Sequence, residues 1–144
     1  VSHRRARSYA DAITVLLEET TVDWRIELIF FPVADVDRSV AFYRDQVGFT
    51  LDHDHTPHEG LRFVQFTPPG SACSIAFGTG IHDAEPGSQH SVQVVIPDAD
   101  EALAHLTSNG VDAQGVQELA WGRFVTFADP DGNTWTLQQL PTRS

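Results

Sequence analysis

From Trp24 onward, the apolar and polar positions follow one pattern that occurs twice. The first copy opens with Arg25 to Val33, a run of strand-forming residues that ends at Pro32-Val33. Asp35-Val36-Asp37-Arg38-Ser39 then reads as an acidic helix start, and Val40, Phe42, Tyr43 and Val47 recur at helical spacing until Gly48. Three strands are predicted after it, over Phe49 to Asp54, Leu61 to Thr67 and Cys73 to Gly78. The last two are joined by the turn Pro68-Pro69-Gly70-Ser71.

The second copy begins at Ser91 to Ile96. Pro97-Asp98-Ala99-Asp100 starts a helix carrying Ala102, Leu103 and Leu106, which stops at Asn109-Gly110. Val111 to Val116, Gly122 to Phe127 and Thr134 to Leu140 supply three more strands, with Asp129-Pro130-Asp131-Gly132 as the last turn. Gly80 to Gln89, containing Pro86-Gly87-Ser88, reads as the linker. The expectation is an α+β fold of tandem βαβββ modules, 24–80 and 90–140, within a single domain 24–140, whose curved sheets surround a cleft.

Residues 1–23 have a different character. A basic start precedes Tyr9, Ile13, Leu16 and Leu17, spaced as one face of a short helix, so an N-terminal helical extension is expected. Its role, against the domain or across to another subunit, is open at this point.

Charge narrows the partners. Nine arginines, no lysine and twenty acidic residues give a net charge of −11, which makes nucleic acid an unsuitable partner. Arg4, Arg5 and Arg7 lie in the first seven residues, leaving six arginines against twenty acids, a balance of −14 over the remainder. A cationic ligand would feel that field. The longest apolar run, Leu28 to Ala34, falls far short of the roughly 20 residues of a bilayer span. No membrane partner is expected, and with no secretory-type apolar stretch in the first 25 residues the expected location is cytoplasmic.

Motifs for catalysis are sparse. The single Cys73 excludes an internal disulfide or a thiolate-rich metal site and reads as a small buried hydrophobe. There is no glycine-rich phosphate cradle, no G-x-S-x-G elbow and no Cys–His pair, and Ser71, Ser74, Ser88 and Ser91 have no activating context. His53, His55 and His58 fall within Asp52 to Glu59, six potential ligands in eight residues. Because that stretch holds Pro57 and leads to Gly60, it reads as a solvated strand end and loop.

Two segments carry a family resemblance: Phe31-Pro32-Val33-Ala34-Asp35-Val36-Asp37-Arg38-Ser39-Val40-Ala41-Phe42-Tyr43 running on to Gly48-Phe49, and Phe127-Ala128-Asp129-Pro130-Asp131-Gly132-Asn133-Thr134-Trp135. In this order, around a doubled βαβββ, they resemble the vicinal oxygen chelate superfamily of glyoxalases, bleomycin-resistance proteins and extradiol dioxygenases, over about residues 24–140. The resemblance implies four inward metal-ligand positions, which fall here on Leu28, Ala76, Ser91 and Thr136. Two of these offer no lone pair and two only a neutral hydroxyl. Accordingly no metal, no other cofactor and no catalytic residue is expected. The dioxygenase-type tyrosine position falls on Thr126.

Strand alternation and hairpin pairing add Phe30, Ser74, Gln93, Thr134, Phe66, Phe124 and Thr126 to the cleft lining, and the resemblance places Trp121 at its mouth. Phe42, Tyr43, Phe77, Phe127 and Trp135 have the opposite parity and should face the helices. The lining suits a small aromatic or cationic organic ligand. Closest in character is the metal-free bleomycin-resistance type, which implies binding of an antibiotic or other natural product in a homodimeric cleft. Two alternatives stay open: an enzyme of the superfamily (a lyase, an isomerase or dioxygenase-like), or an interaction module whose cleft is filled by its own side chains.

Overall fold

The computed structural model describes residues 21–142, and the helix expected within the first 23 residues lies almost wholly outside them. Two four-stranded sheets have the same strand order. Sheet one contains β1 (Leu28–Phe30), β2 (Thr50–His58), β3 (Leu61–Thr67) and β4 (Ser74–Thr79), ordered β1-β4-β3-β2. Sheet two contains β5 (Val92–Ile96), β6 (Gln114–Leu119), β7 (Gly122–Ala128) and β8 (Thr134–Gln139), ordered β5-β8-β7-β6. In each sheet the first strand pairs in parallel with the last, and the other pairings are antiparallel.

Each module has one helical stretch between its first and second strands. α1 (Val36–Ala41) starts at Asp35, whose carboxylate accepts from the Arg38 amide, and it continues as a π-helical segment, Phe42–Val47. Gly48, at φ +94°, ends that segment in the left-handed conformation that glycine adopts without a Cβ clash. α2 (Ala99–Ser108) starts at Asp98 in the same way, its carboxylate accepting from the Glu101 amide.

The core lies between the helices and one face of each sheet. Phe31, Tyr43, Phe66, Phe77, Val125, Phe127, Trp135 and Leu137 are buried there. Phe31 of the first module stacks on Trp135 of the second, their ring centroids 4.9 Å apart. Burying side chains of this size contributes about 1.5–3 kcal/mol each, so this contact is a principal weld between the modules. The five aromatics expected to face the helices are all in this core.

Three strands differ clearly from their expected bounds, and the first of them, β1, is confined to Leu28–Phe30 within the expected Arg25 to Val33. β2 runs on through Thr56-Pro57-His58 instead of giving way to a loop at Asp54, with a register shift between His55 and His58. Proline is tolerated because β2 is an edge strand, where a missing amide hydrogen breaks no inner ladder. β6 starts at Gln114 rather than Val111, since Val111 packs into the core as α2 ends.

Candidate functional site

Opposed residues of a strand pair share a face, so the registers identify the side of each sheet turned away from the core. On sheet one, Phe30 is paired with Ala76 and Ala76 with Gln65; Leu28 is paired with Ser74, and Phe63 with Gly78 and His55. Leu28, Phe30, Phe63, Gln65, Ser74 and Ala76 therefore share this open face. On sheet two, Gln93 is paired with Thr136 and Thr136 with Thr126, while Val95 and Phe124 are both paired with Gln138. Gln114 opposes Thr126, and Gln117 opposes Phe124 beyond a bulge. Phe124 and Ala76 are buried yet lie outside the core cluster, as this placement requires.

One expected lining residue is misplaced. Phe66 is opposed to Ile75 and sits fully buried against Tyr43 and Phe77, on the core face. Gln65, not Phe66, is the residue opposite Ala76. Ser91 stands just before β5 with φ +55°, exposed, its amide donating to Thr134 Oγ1 at 2.6 Å. Trp121 is 61% exposed in the turn between β6 and β7, at the edge of the second open face.

The polar groups on these faces are tied into short chains. Thr67 Oγ1 donates to Asp52 Oδ2, so Ser74 Oγ, 2.6 Å away, donates to Thr67. Gln65 Nε2 donates in turn to Ser74 Oγ at 3.3 Å. On sheet two, Gln93 Nε2 donates to Gln138 Oε1 at 2.7 Å, and Gln138 Nε2 donates to the Trp121 carbonyl at 2.9 Å. Both chains fix an amide and leave its acceptor, Oε1 of Gln65 or of Gln93, without a hydrogen-bond partner among the described residues. Neutral acceptors beside aromatic rings suit a flat ligand that carries hydrogen-bond donors. Sequence reasoning missed Gln65 and Gln138; Gln65 lies one residue from the lining position assigned to Phe66.

A divalent ion does not fit the four positions expected to bind one. Leu28 and Ala76 carry no donor atom, and Ser91 and Thr136 supply only neutral hydroxyls. The rings of His53 and His55 stack with centroids 5.6 Å apart on the open side of β2, but no group of three His, Cys, Asp or Glu converges among the described residues. Burial and the nearby Glu27 carboxylate raise the Cys73 thiol above its ordinary range, keeping it protonated and a poor nucleophile at neutral pH.

A cavity of about 590 Å³ opens elsewhere, where the two modules meet. Its walls include Val47, Phe49, Pro68, Leu106 and Phe127, and of the expected lining only Gln93 reaches it. The two modules differ in the contacts beside it. Eight residues after the helix-starting Asp35 stands Tyr43, whose hydroxyl reaches the Asp129 turn; eight after Asp98 stands Leu106, facing the Pro68-Pro69 turn, which has no side chain to reach back.

Paired βαβββ modules, each leaving one sheet face open, define the class. Residues 25–137 match the Glyoxalase/Bleomycin resistance protein/Dioxygenase superfamily, and the chain belongs to it. Among solved structures it is similar to TnmS3, an antibiotic binding protein from Streptomyces sp. CB03234, with 31% identity and a TM-score of 0.76 over 84% of this chain and 99% of that chain. A glyoxalase/bleomycin resistance protein from the same Streptomyces has 33% identity and a TM-score of 0.71, over 80% of this chain and all of that one. The YetH protein of Bacillus subtilis (strain 168) is 24% identical over 109 residues, 74% of this chain and 91% of that protein. No described helix is long and apolar enough to cross a membrane.

Proposed function

We propose that this protein is a metal-independent binder of a small aromatic or cationic organic molecule, of the antibiotic or natural-product sequestration kind. The open faces of two copies would close over the ligand in a homodimeric cleft. One observation carries the reading: the positions where metal-using members of the superfamily would hold their ion are Leu28, Ala76, Ser91 and Thr136, on or beside faces lined by phenylalanine, threonine and glutamine. Such a lining holds a ring by stacking and orients it by hydrogen bonds, while the acid and bases beside it, Asp52, His53 and His55, lie on the edge strand β2, with Asp52 already bonded to Thr67. The likeness to an antibiotic binding protein at 31% identity supports the same assignment. Attraction of a cation would come from the overall charge of −11 and from the face of Trp121, a cation–π contact contributing about 0.5–2 kcal/mol.

Titration with an anthracycline, an enediyne and a glycopeptide, followed by tryptophan fluorescence and mass spectrometry of the recovered compound, tests the proposal. Saturable binding at micromolar or lower concentration with the compound recovered unchanged is expected, and dialysis against EDTA should leave the affinity as it was. A chemically altered compound, or affinity lost with removal of a transition metal, would replace this reading with the enzymatic one.

A further inference from the structure

We infer that residues 22–27 form an intersubunit strand that pairs antiparallel with the same residues of a second copy about a two-fold axis at Trp24. The inference rests on the proposed dimeric ligand cleft only for what the pairing does to the ligand, not for the pairing itself. Val22, Trp24, Ile26, Leu28 and Phe30 are apolar at every second position, and Asp23, Arg25 and Glu27 between them are charged. That period belongs to a strand with one covered and one wet side. Yet among the described residues only Leu28–Phe30 of this run is strand-paired, at the edge of sheet one, where the Glu27 carbonyl accepts the last ladder-like bond from the Ser74 amide at 2.9 Å.

Before that point residues 22–27 have no regular secondary structure, and Arg25 Nη2 is bonded to Asp23 Oδ2 at 3.0 Å, a contact between residues two apart, as the alternating pattern would place them on one side of a strand. Val22, Trp24 and Ile26 are 67%, 85% and 72% exposed. Three large apolar side chains at alternate positions, all exposed, mark a surface that a partner covers.

The charges select both the partner and the register. Opposed residues in an antiparallel pair share a face, so a two-fold through Trp24 sets Asp23 against the second copy's Arg25, Val22 against its Ile26, and Trp24 against its own counterpart. Centring on Arg25 would oppose Asp23 to Glu27, and centring on Asp23 would oppose that carboxylate to itself. Centring on Ile26 would place Asp23 against Ile29, which packs on the core. The Ile26 register also joins Arg25 to Glu27 but sets Asp23 against a core residue, so the Trp24 register is the one of these four that joins unlike charges without opposing a charge to the core. Both Trp24 rings then extend the apolar floor begun by Leu28 and Phe30, so that each copy contributes aromatic surface to the other's open face.

Single cysteines at positions 22 to 26, in a Cys73→Ser background and under mild oxidation, test the register. Trp24→Cys should give the highest yield of disulfide-linked dimer, since directly opposed Cα atoms lie about 4.5–5.5 Å apart, within bonding range. Asp23→Cys and Arg25→Cys should each link poorly alone and well when mixed. As a second measure that leaves Trp24 intact, Asp23→Arg alone should raise the dimer dissociation constant about tenfold in sedimentation experiments, and the Asp23→Arg/Arg25→Asp double variant should restore it. A monomer in solution, self-linking at position 23 equal to that at 24, or failure of the double swap to restore dimerisation would each overturn the inference. The expected cross-links without binding of any compound would uphold the arm pairing and defeat the ligand reading alone.

Discussion

The hydroxyl of Tyr43 donates to Asp129 Oδ2 at 2.8 Å, tying the helix of the first module to the last turn of the second. Trp135 Nε1 donates to the same phenol oxygen at 3.1 Å, and Asn133 Nδ2 reaches both Asp129 Oδ2 and the Pro32 carbonyl at 2.8 Å. Asp129 Oδ1 accepts from the amides of Asp131 and Asn133. A buried carboxylate with four donors is stable only while all remain. Tyr43→Phe removes one donor and leaves the Trp135 indole without an acceptor, so it should cost about 1–3 kcal/mol, read as a lower urea midpoint at unchanged slope. Asp129→Ala, which leaves four donors unpaired, should cost more. A Tyr43→Phe midpoint equal to that of the parent would show that the network does not weld the modules.

The same phenol predicts an alkaline limit. Burial, then the Asp129 carboxylate, holds the Tyr43 pKa well above its ordinary value of about 10. The unfolded chain therefore loses this proton first as pH rises, and by linkage stability is complete below about pH 10 and falls above it. In a Tyr9→Phe background, tyrosinate absorbance near 295 nm should appear only together with the unfolding transition. Absorbance rising near pH 10 while the far-ultraviolet circular dichroism stays native would contradict the burial.

How far the site could be read from sequence depended on where alternation survives burial. β7 and β8 retain it, so Phe124, Thr126 and Thr136 fall on one face as their parity implies. β4 does not: Ser74, Ile75, Ala76 and Phe77 are all buried, Ile75 and Phe77 in the core and the small Ser74 and Ala76 on the other face of an inner strand. With only the small Ser74 to mark the outer face, the sequence leaves the β3 register open, and a slip of one exchanges Gln65 for Phe66. The repeated helix starts at Asp35 and Asp98 were legible from their capping chemistry. The hydrogen bond that joins residues 43 and 129 was not, since no local rule connects positions so far apart.

Arg62 supplies a smaller, acid-sensitive contribution. Its guanidinium forms a two-pronged pair with Asp54 across β2 and β3, at 2.9 and 2.8 Å, and reaches Asp37 at 2.7 Å. These hydrogen bonds hold the Asp54 carboxyl below its ordinary range. With the folded pKa lowered, the stabilisation is present above the unfolded value of about 3.9 and disappears as pH falls through the folded one. The pair is partly solvated, so Arg62→Met should cost less than about 1 kcal/mol at pH 7. As pH falls through that lowered folded pKa, the variant and parent should converge. A gap that widens on acidification would reverse the assigned sign.

Gln138 predicts how the second open face is held for a ligand. Both polar atoms of its side-chain amide are used, Oε1 by Gln93 and Nε2 by the Trp121 carbonyl, so one side chain fixes the acceptor of Gln93 and the turn that carries Trp121. Gln138→Leu keeps much of the bulk but breaks both bonds, letting Gln93 rotate and the Trp121 turn loosen. Affinity for the anthracycline probe should fall about tenfold, near 1.4 kcal/mol, the order expected for losing one oriented hydrogen bond and some stacking. In a Trp24→Phe background, Trp121→Phe should abolish most ligand quenching, since the remaining Trp135 is buried in the core away from the open face. The control is Glu101→Gln on the exposed side of α2, which should leave affinity within about twofold, because long-range charge effects at moderate salt are screened within about 10 Å. Equal losses in Gln138→Leu and Glu101→Gln would mean that the ligand is attracted by net charge rather than seated against this face.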